Sequence, residues 1–330
     1  MDVSPVVLSV LGLVLAAEFV NGWTDAANSI ATVVSTRVLS PARALLLASA
    51  LNFLGALSGT AVAATIGKGI VDPSTINIYT VGAAMVGIVL WSSLAARYGL
   101  PTSESHALIA GLTGAGLATA GPGALLVAGW KKVGTGLLFS TFLGFGAGLL
   151  LMTAIYWIFA KAHPSFIRRL FGKLQIVSAG FMAFSHGSND GQKFIGAFTL
   201  VLLLAGLIPE FHVSPWVIGL CAGVMALGTA IGGWRIIKTM GVSLTKLEPV
   251  HGFAAETAAA GTIVLASHLG IPLSTTHTIS TAIMGVGATR RFSAVRWGVT
   301  RKIVIAWILT FPVCGVVAWA VMKLILLIVR

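Results

Sequence analysis

The sequence predicts an all-α integral membrane protein: an inverted-topology repeat of five segments each, with broken helices and two helical hairpins. Three observations carry that prediction. Of the 330 residues, 57% are hydrophobic and only 9% are charged, and the mean hydropathy is +0.97, which no soluble domain needs. Apolar runs long enough for helices of about 20 residues recur along the whole chain, whereas the alternating strands of about 10 residues that build a barrel are absent. Two polar motifs each occur twice, in the same order, about half a chain apart. The 39 glycines, most of them inside the apolar runs, suit close helix contacts in lipid.

The expected spans of the first half are 5–35, 43–67, 79–97, 102–119 and 134–160, and those of the second are 172–206, 214–233, 251–268, 273–288 and 303–328. Residues 1–160 and 161–330 form the two repeats, in opposite orientations because each holds an odd number of spans. The start, MDVSPVVLSVLGLVLAAEF, has an acidic n-region and reads as a first span rather than a cleaved signal. That span and 172–206 are expected to be interrupted by polar patches. The pairs within 79–119 and 251–288 fit full spans or re-entrant hairpins equally, with the same parity.

Basic residues collect in four connections: Arg37/Arg43, Lys161/Arg168/Arg169/Lys173, Arg235/Lys238/Lys246 and Arg290/Arg291/Arg296/Arg301/Lys302. Those connections should be cytoplasmic, those around Asp72 and Glu210/His212 should face outward, and both termini should lie outside. Only Lys131/Lys132 depart from the alternation. Loop topology and anionic lipid thus explain the net charge of +12, and no nucleic-acid partner is needed. Cys221 and Cys314 lie in apolar runs without metal or redox spacing and read as small core residues.

The repeated motifs carry the chemistry. NGWTDAAN (21–28) aligns with HGSNDGQK (186–193) at an offset of 165, and YGLPTSESHALIAGLTGAG (98–116) aligns with LGIPLSTTHTISTAIMGVG (269–287) at an offset of 171. Glu18, Asp25, Glu104, Asp190 and Glu256 fall within or beside apolar spans, where each charge costs about 2.5–3.5 kcal/mol to insert. For Glu18 an interhelical hydrogen bond is sufficient reason. Asp25 and Asp190, at equivalent positions and beside Asn21, Asn28 and Asn189, instead suit a small hard cation or a transferable proton.

Pro101 and Pro272 cannot continue a preceding helix but fit the first turn of a new one. The free N–H groups that follow, with Ser103, Ser105, Ser274, Thr275 and Thr276, make a donor-rich helix end suited to a tetrahedral oxyanion. His106 and His277 repeat in register. They could shuttle protons or touch the anion, but more often such histidines fix a hairpin by bonding a neighbouring helix. A hydrolase reading of Ser103/His106 fails, because no G-x-S-x-G elbow or orienting acid accompanies them, so the chain is not expected to be an enzyme. Lys193 aligns with Asn28 and either attracts the anion or pairs with Asp190.

These motifs resemble the two signatures of the inorganic phosphate transporter (PiT) family, roughly G-A-N-D-V-A-N/K and LP-x-S-x-[ST]-H, and the resemblance spans nearly the whole chain. It implies inverted repeats, hairpins that hold phosphate between them, cotransport driven by sodium or protons, and homodimers. Carried over to this sequence, Asp25, Asn28, Asn189 and Asp190 match ion-coordinating positions, the hairpin hydroxyls match phosphate ligands, and Glu256 matches a functionally sensitive glutamate. Thr24 stands where the first signature usually has asparagine, and Glu104 stands where the hairpin usually has a small or hydroxyl residue.

The expected function is a plasma-membrane symporter of inorganic phosphate, carried free or as a metal–phosphate complex, with Na+ or H+ as coupling ion and no cofactor. Ser103, Glu104, Ser105, Ser274, Thr275 and Thr276 would bind substrate, and Asn21, Asp25, Asn28, Asn189, Asp190 and Glu256 would bind the ion, Na+ among the candidates. His106, His277, Gln192 and Lys193 would assist. A sulfate permease of the same architecture is the nearest alternative, with an anion channel as the alternative of another class.

Overall fold

The computed structural model describes residues 4–329, and its α-helices fall into two five-part successions. The first runs α1 (Pro5–Ser35), α2 (Pro41–Ala56) with α3 (Ala61–Gly69), α4 (Ile78–Arg97), α5 (Glu104–Ala120), and α6 (Val127–Leu138) continued by α7 (Gly144–Ile158). The second runs α8 (Pro164–His186) continued by α9 (Gln192–Leu204), α10 (Pro215–Ile231) with α11 (Trp234–Lys238), α12 (Pro249–His268), α13 (Thr275–Ala288) and α14 (Trp297–Ile328). Prolines at positions 5, 41, 164, 215 and 249 open five of these helices, where a missing N–H removes no helical bond.

Five helices are long and apolar enough to cross a membrane, and seven if the bent pairs α2/α3 and α10/α11 count as one span each. Outward-facing side chains such as Leu46, Trp157, Ile158, Ile308 and Leu327 are mostly exposed, as a lipid-facing surface requires. The chain is a multi-pass membrane protein.

The breaks do not fall where the polar patches led us to expect them. Residues Asn21–Asn28 lie inside α1, an unbroken α-helix of 31 residues, and the second patch causes only a single π-turn, Gly187–Gly191, between α8 and α9. A wholly helical backbone satisfies its own N–H and C=O groups, so these side chains need no unwinding to be accommodated. The sharp bends, of 68° and 63°, lie instead between α2 and α3 and between α10 and α11. Gly232, at φ +73°, makes the second bend possible. The span expected at 43–67 is therefore a bent pair, and the one expected at 214–233 is the first arm of another, whose second arm, α11, lies beyond it.

The glycine shared by the first motif pair has a packing reason in both copies. A Cβ on Gly22 would strike the backbone carbonyl of Met225 in α10, and one on Gly187 would strike that of Asn52 in α2. Each polar segment thus lies backbone to backbone against the bent helix of the other half. The packed interior splits into two main apolar cores. Ala17 of α1 and Phe194 of α9 belong to one, and Ala27 of α1 and Ala183 of α8 to the other. The segments between them, which hold Asp25 and Asp190, form a polar layer where the cores meet.

Candidate functional site

In that layer Asp25, His186 and Asp190 bring ligand atoms within 4.8 Å of one another, all of them buried. His186 Nε2 lies 3.6 Å from Asp25 Oδ2 and 3.8 Å from Asp190 Oδ2. Its other ring nitrogen is 3.1 Å from Asn52 Oδ1, and the Asn52 amide group donates to Thr229 at 3.0 Å. Asn52 therefore accepts from Nδ1–H, which turns the Nε2 lone pair toward two carboxylates. His186 was not singled out in the sequence, although its spacing of four from Asp190 on one helix was the available signal.

The hairpins close this layer from two sides. Thr275 donates to Asp190 Oδ2 at 3.1 Å, Thr276 donates to Asp25 Oδ2 at 3.3 Å, and the Asn28 amide reaches both threonines at 3.3 and 3.0 Å. Lys193, wholly buried, settles its alternatives: its Nζ is 2.6 Å from Asp190 Oδ1 and also donates to Leu273 O at 2.8 Å and to the Ser105 hydroxyl. Ser105 in turn donates to Leu273 O at 2.8 Å, so the tip of one hairpin is bonded to the tip of the other. Ser103 and Ser274 cap α5 and α13, accepting from the N–H groups of His106 and His277 at 3.3 and 3.1 Å. The amides of Glu104, Ser105, Thr275 and Thr276 are first-turn donors with no carbonyl one turn earlier in the helix.

Two residues expected at the ion site, Asn21 and Asn189, stand beside it, as does Gln192, which was expected to assist. Asn21 donates to Glu18 at 3.0 Å, Asn189 donates to Ser267 at 2.9 Å, and Gln192 accepts from Val62 N at 3.0 Å, capping α3. Glu256 is engaged elsewhere: Thr32 and Ser178 donate to it, as does Gln175 at 3.2 Å. Thr32 lies seven residues beyond Asp25 on α1, about 10 Å along the axis, so Glu256 marks a second polar station. Glu104 accepts from Ser92 at 2.7 Å and from Thr24 at 3.2 Å, and the two departures from the family pattern are one contact. His106 and His277 meet edge to face at 4.6 Å between ring centroids, and His277 stacks on Trp307 of α14 at 3.7 Å. They hold the hairpins by ring packing instead of the expected hydrogen bonds.

The donor set suits a cation. Asn28 Oδ1 and His186 Nε2 in this layer are buried acceptors without a donor, and Asn21 Oδ1 and Asn189 Oδ1 beside it lack one too. A hard cation takes amide and carboxylate oxygens, and burying so many acceptors unpaired is otherwise costly. Beside them the hydroxyls and first-turn amides of both hairpins supply donors for an anion.

Residues 21–318 match the family described as "Phosphate transporter family". A "Probable low-affinity inorganic phosphate transporter" of Rhizobium meliloti is 44% identical over 95% of each chain, and one of Bacillus subtilis is 40% identical over 94% of this chain and 95% of its own. A solved structure titled "The sodium-dependent phosphate transporter" superposes with a TM-score of 0.91 at 25% identity, covering 98% of this chain and 100% of its own. With both motif pairs inside the matched region, this chain belongs to the phosphate transporter family.

Proposed function

We propose that the protein is a symporter that carries inorganic phosphate into the cell on a cation gradient, with Asp25, Asp190, Asn28 and His186 holding the cation and the hairpin tips holding the anion. The observation that carries this reading is the group of orphaned buried acceptors around two carboxylates, set against the donor-rich starts of α5 and α13. A cation at the carboxylates would cancel the repulsion that otherwise keeps an anion from the hairpin donors. Each ion then binds well only when the other is present, which is the thermodynamic condition for coupling.

Sodium is the preferred coupling ion, because amide oxygens ligate a metal cation but do not carry a transferable proton, and because the superposed structure is titled sodium-dependent. A proton on His186 Nε2, between the two aspartates, is the second reading. Residues 1–160 and 161–330 act as inverted repeats in the plasma membrane, with the four basic connections inside and the termini outside. Labelled phosphate uptake into proteoliposomes under imposed sodium or proton gradients, with sulfate as competitor, tests the proposal. A sodium-driven overshoot is expected. Flux indifferent to both gradients would overturn symport, and uptake of sulfate in place of phosphate would overturn the substrate.

A further inference from the structure

Three of the basic connections flagged in the sequence converge on one cavity of about 530 Å3 that lies apart from the carboxylate layer. Arg37, from the turn after α1, Arg168, from the start of α8, and Arg290, from the turn after α13, line it together with Thr36, Tyr156 and His251. Its single acid, Glu248, is committed to Arg290 at 2.8 Å and is held ionised below the usual carboxylate range by that bond. Arg37 and Arg168 have no carboxylate within ion-pair distance among the described residues. Arg37 is also the one non-glycine described residue with positive φ, +60°, a costly conformation for a side chain that has no hydrogen bond of its own to secure it.

The cavity is tied to the central layer by a polar stripe on one face of α1. Asn21, Asp25, Asn28 and Thr32 are all buried along that face, and Thr36 ends it at the cavity wall, about 16 Å from Asp25 along the helix. One side chain closes the stretch between Glu256 and the cavity: Gln175 accepts from Thr36 at 2.8 Å and donates to Glu256 at 3.2 Å. Gln175 lies against Gly252, where a Cβ would come within 2.6 Å of its amide carbon.

We propose that this cavity is a second phosphate-binding station on the cytoplasmic exit route, separated from the central site by the Gln175 bridge. Paired guanidinium groups with adjacent hydroxyls recognise a phosphate oxyanion, and the absence of a free acid leaves the cavity net positive. The same chemistry would take the phosphate of an anionic lipid headgroup. Continuity with the α1 stripe through Gln175 selects inorganic phosphate. The inference rests on the symport reading and its orientation.

The test compares right-side-out and inverted vesicles carrying the wild type, Arg37→Gln/Arg168→Gln, and Arg168→Lys. Each loses or keeps charge-assisted bonds to phosphate, so the double variant should raise KM at the cytoplasmic face about 10-fold or more while external KM moves less than about 2-fold. Arg168→Lys, which keeps the charge, should fall between. Equal effects on both faces, an effect confined to the outer face, or none on either would overturn the station. If the variant is too poorly folded to transport, equilibrium dialysis of labelled inorganic phosphate decides: Asp25→Asn protein should keep weak binding that added Arg168→Gln abolishes, and binding unchanged by Arg168→Gln refutes the proposal. Reconstitution in phosphatidylcholine alone separates the sources. A side-specific KM effect that persists there supports phosphate, and one that appears only with phosphatidylglycerol present means a lipid site. Wild-type protein that moves no phosphate would defeat the symport reading itself, which the variants are not needed to show.

Discussion

Replacing Lys193 by methionine keeps most of the side-chain volume and removes the ammonium bonded to Asp190. In the native protein that ammonium, fully buried, sits 2.6 Å from Asp190 Oδ1 and donates to Leu273 O and Ser105, so its removal strands the Asp190 charge while Leu273 O and Ser105 keep only their bond to each other. What remains for Asp190 is Thr275 at 3.1 Å and the His186 edge at 3.8 Å. Breaking a buried pair by deleting one partner costs about 3–5 kcal/mol, most of it the uncompensated charge. At about 2 °C per kcal/mol, the low end expected for a large chain, thermal unfolding in detergent should begin roughly 6–10 °C lower. Adding Asp190→Asn removes the stranded charge, and the double variant should recover at least about 2 kcal/mol of the loss. Recovery of the fold should not bring recovery of function: with Asp190 gone, cation-driven phosphate uptake should stay absent in the double variant. A single variant within about 1 kcal/mol of wild type, or a double variant no more stable than the single, would refute the claim that this pair balances a buried charge.

Asp25→Asn keeps an acceptor for Thr276, so the protein should insert and purify normally while driven uptake falls to background; retained uptake would remove Asp25 from the cation site. Gly22→Val should prevent α1 from meeting the Met225 carbonyl and cost about 1–3 kcal/mol or more, seen as loss of monodisperse protein, whereas Gly12→Val, with open space at its Cβ, should be tolerated. The Glu248–Arg290 tie is part-exposed, and a folded pKa lowered from 4.5 means its stabilisation is fully present above that value and lost as pH falls through the lower folded one. Unfolding midpoints of wild type and Glu248→Gln should therefore converge on acidification and in high salt; a gap that is constant across that range would sink the assignment.

Much of the fold could be read from the sequence because lipid imposes length, composition and punctuation together. The expected 5–35, 79–97 and 251–268 agree closely with α1, α4 and α12, and the prolines that cap helices mark their starts. The bends could not be read. Ser58-Gly59 and Gly232-Gly233 are turn signals, but each falls at or near the edge of an apolar run long enough for one span, so hydropathy alone does not separate a bent pair from a straight helix. The site followed the same division. Alignment of two motif copies was enough to pick out Asp25 and Asp190, because an unpaired charge in an apolar span is improbable without a role. Alignment also suggested that equivalent residues do equivalent work, and here geometry disagrees: Asn28 donates to two hairpin threonines while its counterpart Lys193 binds Asp190 and ties the two hairpin tips. On the proposed reading, the fixed ammonium beside Asp190 leaves Asp25 the freer carboxylate for the exchangeable ion, and the polar stripe that runs through Asp25 is the one that continues down α1 to the arginine-lined cavity.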